Sequence, residues 1–131
     1  MKKKVLVVDV SEGNFKVWKV VLGRVFPELE VINESTVHGV EVRMRDNLLA
    51  VIFGGSIYSN DSKTLKTKTS NLARKFKEVS PNLLTIASSG SLMDTDSLMS
   101  DGKCDLRYGK PVMPEEFKEI CVKLREILDK M

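Results

Sequence analysis

The chain is poor in the residues that build metal centres and redox sites. Its 131 residues include two cysteines, Cys104 and Cys121, and a single histidine, His38. The cysteines lack CxxC spacing and have one histidine to join them, which argues against a zinc site. Two thiols in an otherwise ordinary chain fit a reducing compartment, so a cytoplasmic location is expected. Long apolar runs are also missing. The longest, Val5–Val8 and Leu48–Phe53, fall far short of the about 20 residues that a membrane-spanning helix needs. The basic start, MKKKVLVVDV, reaches Asp9 after four apolar residues, where a secretory signal needs about 7–15. Internal repeats, linkers and low-complexity tracts are absent, and the chain reads as one domain, 1–131.

What is present is a globular composition, 42% apolar and 30% charged. The net charge of +3 is unevenly spread. Between Ser62 and Lys77 stand Lys63, Lys66, Lys68, Arg74, Lys75 and Lys77 with no acid among them, so the rest of the chain is net acidic. A solvated helix face is the expected reading, and a field that steers an acidic partner the alternative. Neither a recognition-helix signature nor an aromatic stacking platform accompanies the charge, which disfavours nucleic acid.

Three apolar runs have strand length: Val5–Asp9, Leu48–Phe53 and Leu83–Ala87. None alternates apolar with polar, the habit of strands covered on both faces in a parallel sheet. Weaker strands are expected at Glu30–Asn33 and near Cys104–Tyr108. Between them the period turns helical. The stripes are Phe15, Trp18, Leu22 and Val25; Val37, Val40 and Met44, with Ser35 or Thr36 as cap; and Leu65, Leu72, Ala73, Phe76 and Val79. Asp94–Met99 fits one more short helix. The last stripe, Phe117, Ile120, Cys121, Leu124, Ile127 and Leu128, opens on Pro114, Glu115 and Glu116, which suit a helix N-terminus. Trp18 is expected in the core and His38 on the surface. Gly54–Ser62 is expected to be the longest unstructured loop. Alternating strands and helices predict an α/β, flavodoxin-like, doubly wound five-stranded parallel sheet with helices on both faces. Its ligand crevice lies at the carboxyl ends of the strands, near Asp9–Ser11, Gly54–Ser56, Ser88–Ser91 and Gly109–Pro111.

The segments KVLVVDV, TVHGVEV, LAVIFG and YGKPVMPEEFKEICVKL resemble the receiver domains of two-component response regulators, over nearly the whole chain. That resemblance implies a phosphoacceptor aspartate ending the third strand, and two acids near the first strand that hold magnesium. It also implies a Ser or Thr ending the fourth strand and a Lys-Pro after the fifth. Magnesium and the lysine would neutralise the phosphoryl group while the carboxylate attacks phosphorus. Here the acids are reduced to Asp9, followed by Val10. Gly54 stands at the phosphoacceptor position, Ser88 or Ser89 at the hydroxyl position, and Lys110-Pro111 at the last. The family's switch aromatic usually lies three residues before that lysine; here Arg107 stands there, with Tyr108 one later.

Glycine supplies no nucleophile, so the resemblance implies a degenerate pseudo-receiver that is not phosphorylated and is not an enzyme. No metal or cofactor is expected beyond at most weak magnesium at Asp9. A kinase, another signalling protein or a second copy is the expected partner, with Tyr108, Met113, Lys66 and Lys75 as the partner surface. Met93, Met99 and Met113 are adaptable contact residues or core filler. The Gly54-Gly55 pair is expected to allow a tight loop with positive φ, and Ser88–Ser91 is a candidate anion cradle. The alternative function is a small-anion or nucleotide sensor in the altered pocket. An amidotransferase-like enzyme lacks the strand-end cysteine and the paired base it would need.

Overall fold

Aliphatic and β-branched runs put five strands side by side, all parallel, in the computed structural model, which describes residues 3–110 and 112–130. The strands are β1 (Lys3–Val8), β2 (Leu29–Glu34), β3 (Leu48–Phe53), β6 (Leu84–Ser88) and β7 (Leu106–Tyr108). Their order across the sheet is β2-β1-β3-β6-β7. The helices are α1 (Glu12–Val25), α2 (Val37–Arg43), α3 (Ser70–Val79), α4 (Leu92–Ser100) and α5 (Pro114–Asp129). This is the flavodoxin-like, doubly wound arrangement expected from the sequence.

The absence of alternation in the strands now has its reason. Val5 and Val7 of β1, with Ala50 and Ile52 of β3, face a core shared with Trp18 and Leu22 of α1 and Ile120 and Leu124 of α5. Leu6, Val8, Val51 and Phe53 face the opposite core, built with Val40 of α2, Leu72 and Phe76 of α3 and Leu98 of α4. Trp18 is fully buried, its ring edge-on to Phe117 at 5.0 Å, and His38 is exposed, both as expected. Ser11 caps α1 by accepting from Asn14 N, and Thr36 caps α2. Pro114 opens α5, with the Glu116 side chain accepting from Met113 N.

The segment after β3 departs from expectation. Where a loop was expected, β4 (Ser56–Tyr58) and β5 (Lys66–Lys68) form a separate antiparallel ribbon. Its turn is held by Asn60, whose Oδ1 accepts from Thr64 N and Leu65 N. β4 is stitched to the main fold where Tyr58 N donates to Ser35 O at 2.8 Å, and Ile57 is fully buried. The third helix therefore starts at Ser70, and Leu65, expected on its buried stripe, is exposed on the ribbon. The alternating Lys-Thr-Lys-Thr of 66–69 has a strand's period of two, and β-branched threonines favour that state. The basic stretch is thus split: Lys63, Lys66 and Lys68 belong to the ribbon, Arg74, Lys75 and Lys77 to α3. Val25 and Val79, at the ends of their helices, are also exposed.

Candidate functional site

Strand register decides which residues meet. Val8 lies opposite Glu34 and Phe53, Phe53 opposite Ala87, and Ser88 opposite Tyr108. The carboxyl ends of all five strands are level, so the residues that follow them share one edge. Gly54 N donates to Val8 O at 2.8 Å, continuing the ladder one step and fixing Gly54 beside Asp9.

Asp9 is the centre of the site, with its side chain 3% exposed. Its Oδ2 accepts from Lys110 Nζ at 2.7 Å and from Asn14 Nδ2 at 2.8 Å, and its Oδ1 accepts from Ser11 N at 3.0 Å. Charge-assisted bonds of this kind are the strong ones, and a buried carboxylate needs them. Asp9 and Lys110, 101 residues apart in sequence, are brought together at this edge. Val10 is half-buried beside them and supplies no side-chain oxygen. Pro111 lies outside the described residues.

The two glycines are required for a reason other than the expected one, since no glycine among the described residues has a positive φ. A Cβ on Gly54 would lie 2.6 Å from Asp9 Oδ2, and one on Gly55 would lie 2.2 Å from Asp94 Oδ2. Each glycine makes room for a carboxylate. Asp94, on the first turn of α4, also pairs with Lys68 from β5 and accepts from Ser89 Oγ at 3.4 Å. Thr69, fully buried, donates its hydroxyl to Gly54 O at 2.6 Å and so fastens the ribbon over the strand end.

The serines at the end of β6 are satisfied internally. Ser88 donates to Gly109 O at 3.3 Å, and Ser89 Oγ accepts from Ser91 N. Lys68, Thr69 and Asp94 were missed as site residues, because only the returning ribbon and α4 bring them here; Asn14 was missed although it stands on the first turn of α1, five residues after Asp9. Among the described residues no three His, Cys, Asp or Glu side chains form a group that could hold a metal ion.

The expected partner surface does not hold together. Tyr108 is buried, 5% exposed, and its hydroxyl has no hydrogen-bond partner among the described residues. Burial, with the Glu119 and Glu116 carboxylates nearby, pushes that hydroxyl's pKa up. Its ring belongs to the core of the α1–α5 face, where an aromatic of its size is best used. Met113 is exposed at the start of α5, whereas Lys66 and Lys75 lie on the ribbon and on α3. Met93 is exposed, and Met99 packs against the α2–α3–α4 core.

Strand order and the level strand ends define the flavodoxin-like fold of receiver domains. No protein-family model matches the sequence, and no curated protein does. Solved structures do match. A CheY-like response regulator receiver domain protein from Methanospirillum hungatei superposes at TM-score 0.75 and 20% identity, covering the whole of both chains. The receiver domain of a DNA-binding response regulator from Colwellia psychrerythraea gives TM-score 0.78 at 12% identity, over 95% of this chain and 99% of that one. The receiver domain of a sensor histidine kinase from Pseudomonas aeruginosa, which has magnesium coordinated in its active-site cleft, gives 0.73 at 15%, over 95% and 98%.

Proposed function

We propose that this chain is a pseudo-receiver: a signalling module that takes no phosphoryl group and acts by docking to a protein partner. One observation carries the reading. At the end of β3, where a receiver presents its attacking carboxylate, Gly54 has no side chain, and the space above it belongs to Asp9. Covalent phosphoryl transfer needs a nucleophile with a free lone pair in line with phosphorus. Asp9 instead is 3% exposed and turned to Ser11, Asn14 and Lys110, so its carboxylate is not presented to a phosphoryl donor.

Magnesium does not fit this donor set. The ion demands several oxygens in octahedral array, usually with one or two carboxylates. Asp9 already accepts three hydrogen bonds, including one from an ammonium group, and Val10 adds no side-chain oxygen. Other chemistry also lacks its parts. Burial pushes both thiols up, Cys104 to about 12, and His38 is exposed on α2, so neither thiol is activated for attack by that imidazole. A reading as a free-anion sensor is disfavoured because Lys110 and Lys68 are each paired with a carboxylate.

Docking is supported by the outer side of α1 and α5. There Val25 and Val122, about half exposed, line a groove together with Val21, Phe117 and Cys121, and Val17 and Val20 are half exposed elsewhere on α1. Apolar side chains clustered on a surface mark contact sites more often than chance. A cytoplasmic signalling protein or a second copy is the partner class. Incubation with acetyl phosphate and magnesium, followed by intact-mass analysis, is expected to leave the chain unmodified; a mapped aspartyl-phosphate would overturn the reading. In native-cell extract, a stoichiometric partner retained by the wild type and lost by Val122→Glu would support docking. Neither partner nor self-association would count against it.

A further inference from the structure

We infer that the outer face of α5 pairs with the same face of a second copy, the two helices antiparallel about a two-fold axis through Val122. The inference deepens the docking reading of the α1–α5 side, on which it rests, by naming the occupant. Two grooves meet on that side. One of about 750 Å³ reaches Lys118, a smaller one reaches Arg125 and Glu126, and both are lined by Val25, Cys121 and Val122. Val122 is thus the middle of one apolar strip along α5, and it is 58% exposed.

Charge decides what covers the strip. Lys118 stands four residues before Val122 and Glu126 four after it; Glu119 and Arg125 stand three before and three after, again with opposite signs. Residues three and four apart lie on one face of a helix. Turning such a helix end for end about Val122 sets Lys118 against the second copy's Glu126, and Glu119 against its Arg125. A two-fold axis makes each pair occur twice, so four attractions surround one contact between the two Val122 side chains. A parallel, in-register pairing would instead set every charge against its own kind. Glu115 and Asp129, like charges in the antiparallel register, lie seven residues from the centre, where crossing helices have diverged. Lys118, Glu119, Arg125 and Glu126 are all exposed. Among the described residues Lys118 and Glu126 form no ion pair, and Arg125 reaches Glu28 only at 3.6 Å, with both side chains about half exposed. The valines supply a centre that excludes water, and the charges around it fix register and direction.

Sedimentation velocity of the purified chain is the test. The wild type is expected to dimerise with a Kd of about 10–100 μM, as suits an interface at the small end of the range. Lys118→Glu and Glu126→Lys each turn two attractions into repulsions and are expected to raise Kd at least about tenfold. Lys118→Glu/Glu126→Lys restores opposite signs across the axis and is expected to return Kd to within about threefold of wild type. Lys66→Glu, the same change of charge on the exposed ribbon strand, is expected to leave Kd unaltered. Far-UV circular dichroism keeps the comparison to folded chains. Should a reversed variant fail to fold, Val122→Cys/Cys121→Ala replaces it, and a short bismaleimide is expected to join residue 122 of one copy to residue 122 of the other. A wild type that stays monomeric to about 0.5 mM would overturn the inference. So would a double variant as weak as the single ones, a Lys66→Glu chain that dissociates as they do, or the absence of that cross-link. If the wild type is monomeric but captures a different protein through Val122, the docking reading stands and this inference falls; if it does neither, both fall.

Discussion

At the scale of single residues, Gly54 shows how a missing side chain can be structural rather than conformational. Its φ is ordinary, so the left-handed region is not what demands glycine here. The demand comes from Asp9, a short side chain held by three hydrogen bonds that cannot swing aside cheaply. Gly54→Ala should therefore displace Asp9 from Lys110 and cost about 1–3 kcal/mol in urea unfolding. Gly23, exposed on α1 with nothing near its Cβ position, is the control. Gly23→Ala should gain about 0.5–1 kcal/mol from helix propensity. If both alanines behave alike, the proposed packing of Asp9 against Gly54 is wrong. Cys104 gives a pH-dependent prediction. Burial raises its thiol from an ordinary value near 9 to about 12, so the folded state keeps a proton that the unfolded state gives up above pH 9. The contribution of Cys104 to stability should accordingly be level below pH 9 and fall between pH 9 and 12. Urea midpoints across that range should fall less steeply for Cys104→Val. Asp9, Gly54 and Lys110 were legible in the sequence because each directly follows a strand or closes a recognisable segment. Asp94 and Lys68 were not, because their contact depends on tertiary closure between residues 26 apart.

At the scale of elements, the doubly wound core was legible and the β4–β5 ribbon was not, for one physical reason. Strands buried on both faces are written as unbroken apolar runs, and the helices show stripes at three and four; both signals come from burial. The ribbon buries little. All three residues of β5 are exposed, and Ile57 is the one fully buried side chain in the strand pair. A lysine-rich exposed strand then resembles a lysine-rich helix face in composition. Lysines on so open an edge also discourage pairing with other chains. What anchors the ribbon is therefore concentrated in few atoms, and substitutions should rank steeply. Ile57→Ala should cost about 2–5 kcal/mol through lost burial and a cavity. Thr69→Val, nearly the same shape, should cost about 1–3 kcal/mol by leaving the buried Gly54 carbonyl without its partner. Lys68→Met should cost under about 1 kcal/mol, since the Lys68 side chain is 64% exposed and its pairing with Asp94 is screened by solvent. Chemical denaturation of the three variants tests the order; a Lys68→Met effect as large as that of Ile57→Ala would mean the ion pair, not the buried isoleucine, holds the ribbon down.

At the scale of the whole molecule, one sheet separates two cores, and the question is whether they stand or fall together. The α1–α5 face is reported by Trp18, the chain's sole tryptophan, fully buried against Phe117. The α2–α3–α4 face is reported by Cys104, buried and held as a thiol. Both cores are lined by the same strands: within β1, Val5 and Val7 serve one and Leu6 and Val8 the other. Neither face can lose its packing without exposing alternate residues of strands that the other still needs. A domain of this size has about 5–15 kcal/mol of net stability, too little to keep half a core standing on a half-exposed sheet. Tryptophan fluorescence and Cys104 labelling should therefore give superimposable urea transitions, as two-state unfolding requires. Cys121 has to be replaced by Ala for the measurement, because it is only part-buried on the α1–α5 side and would label early. If Cys104 became reactive at a urea concentration where Trp18 remained buried, the face carrying the ribbon and α4 would be opening on its own. The Lys68–Asp94 pair beside Gly55 would then be a moving part instead of a fixed one.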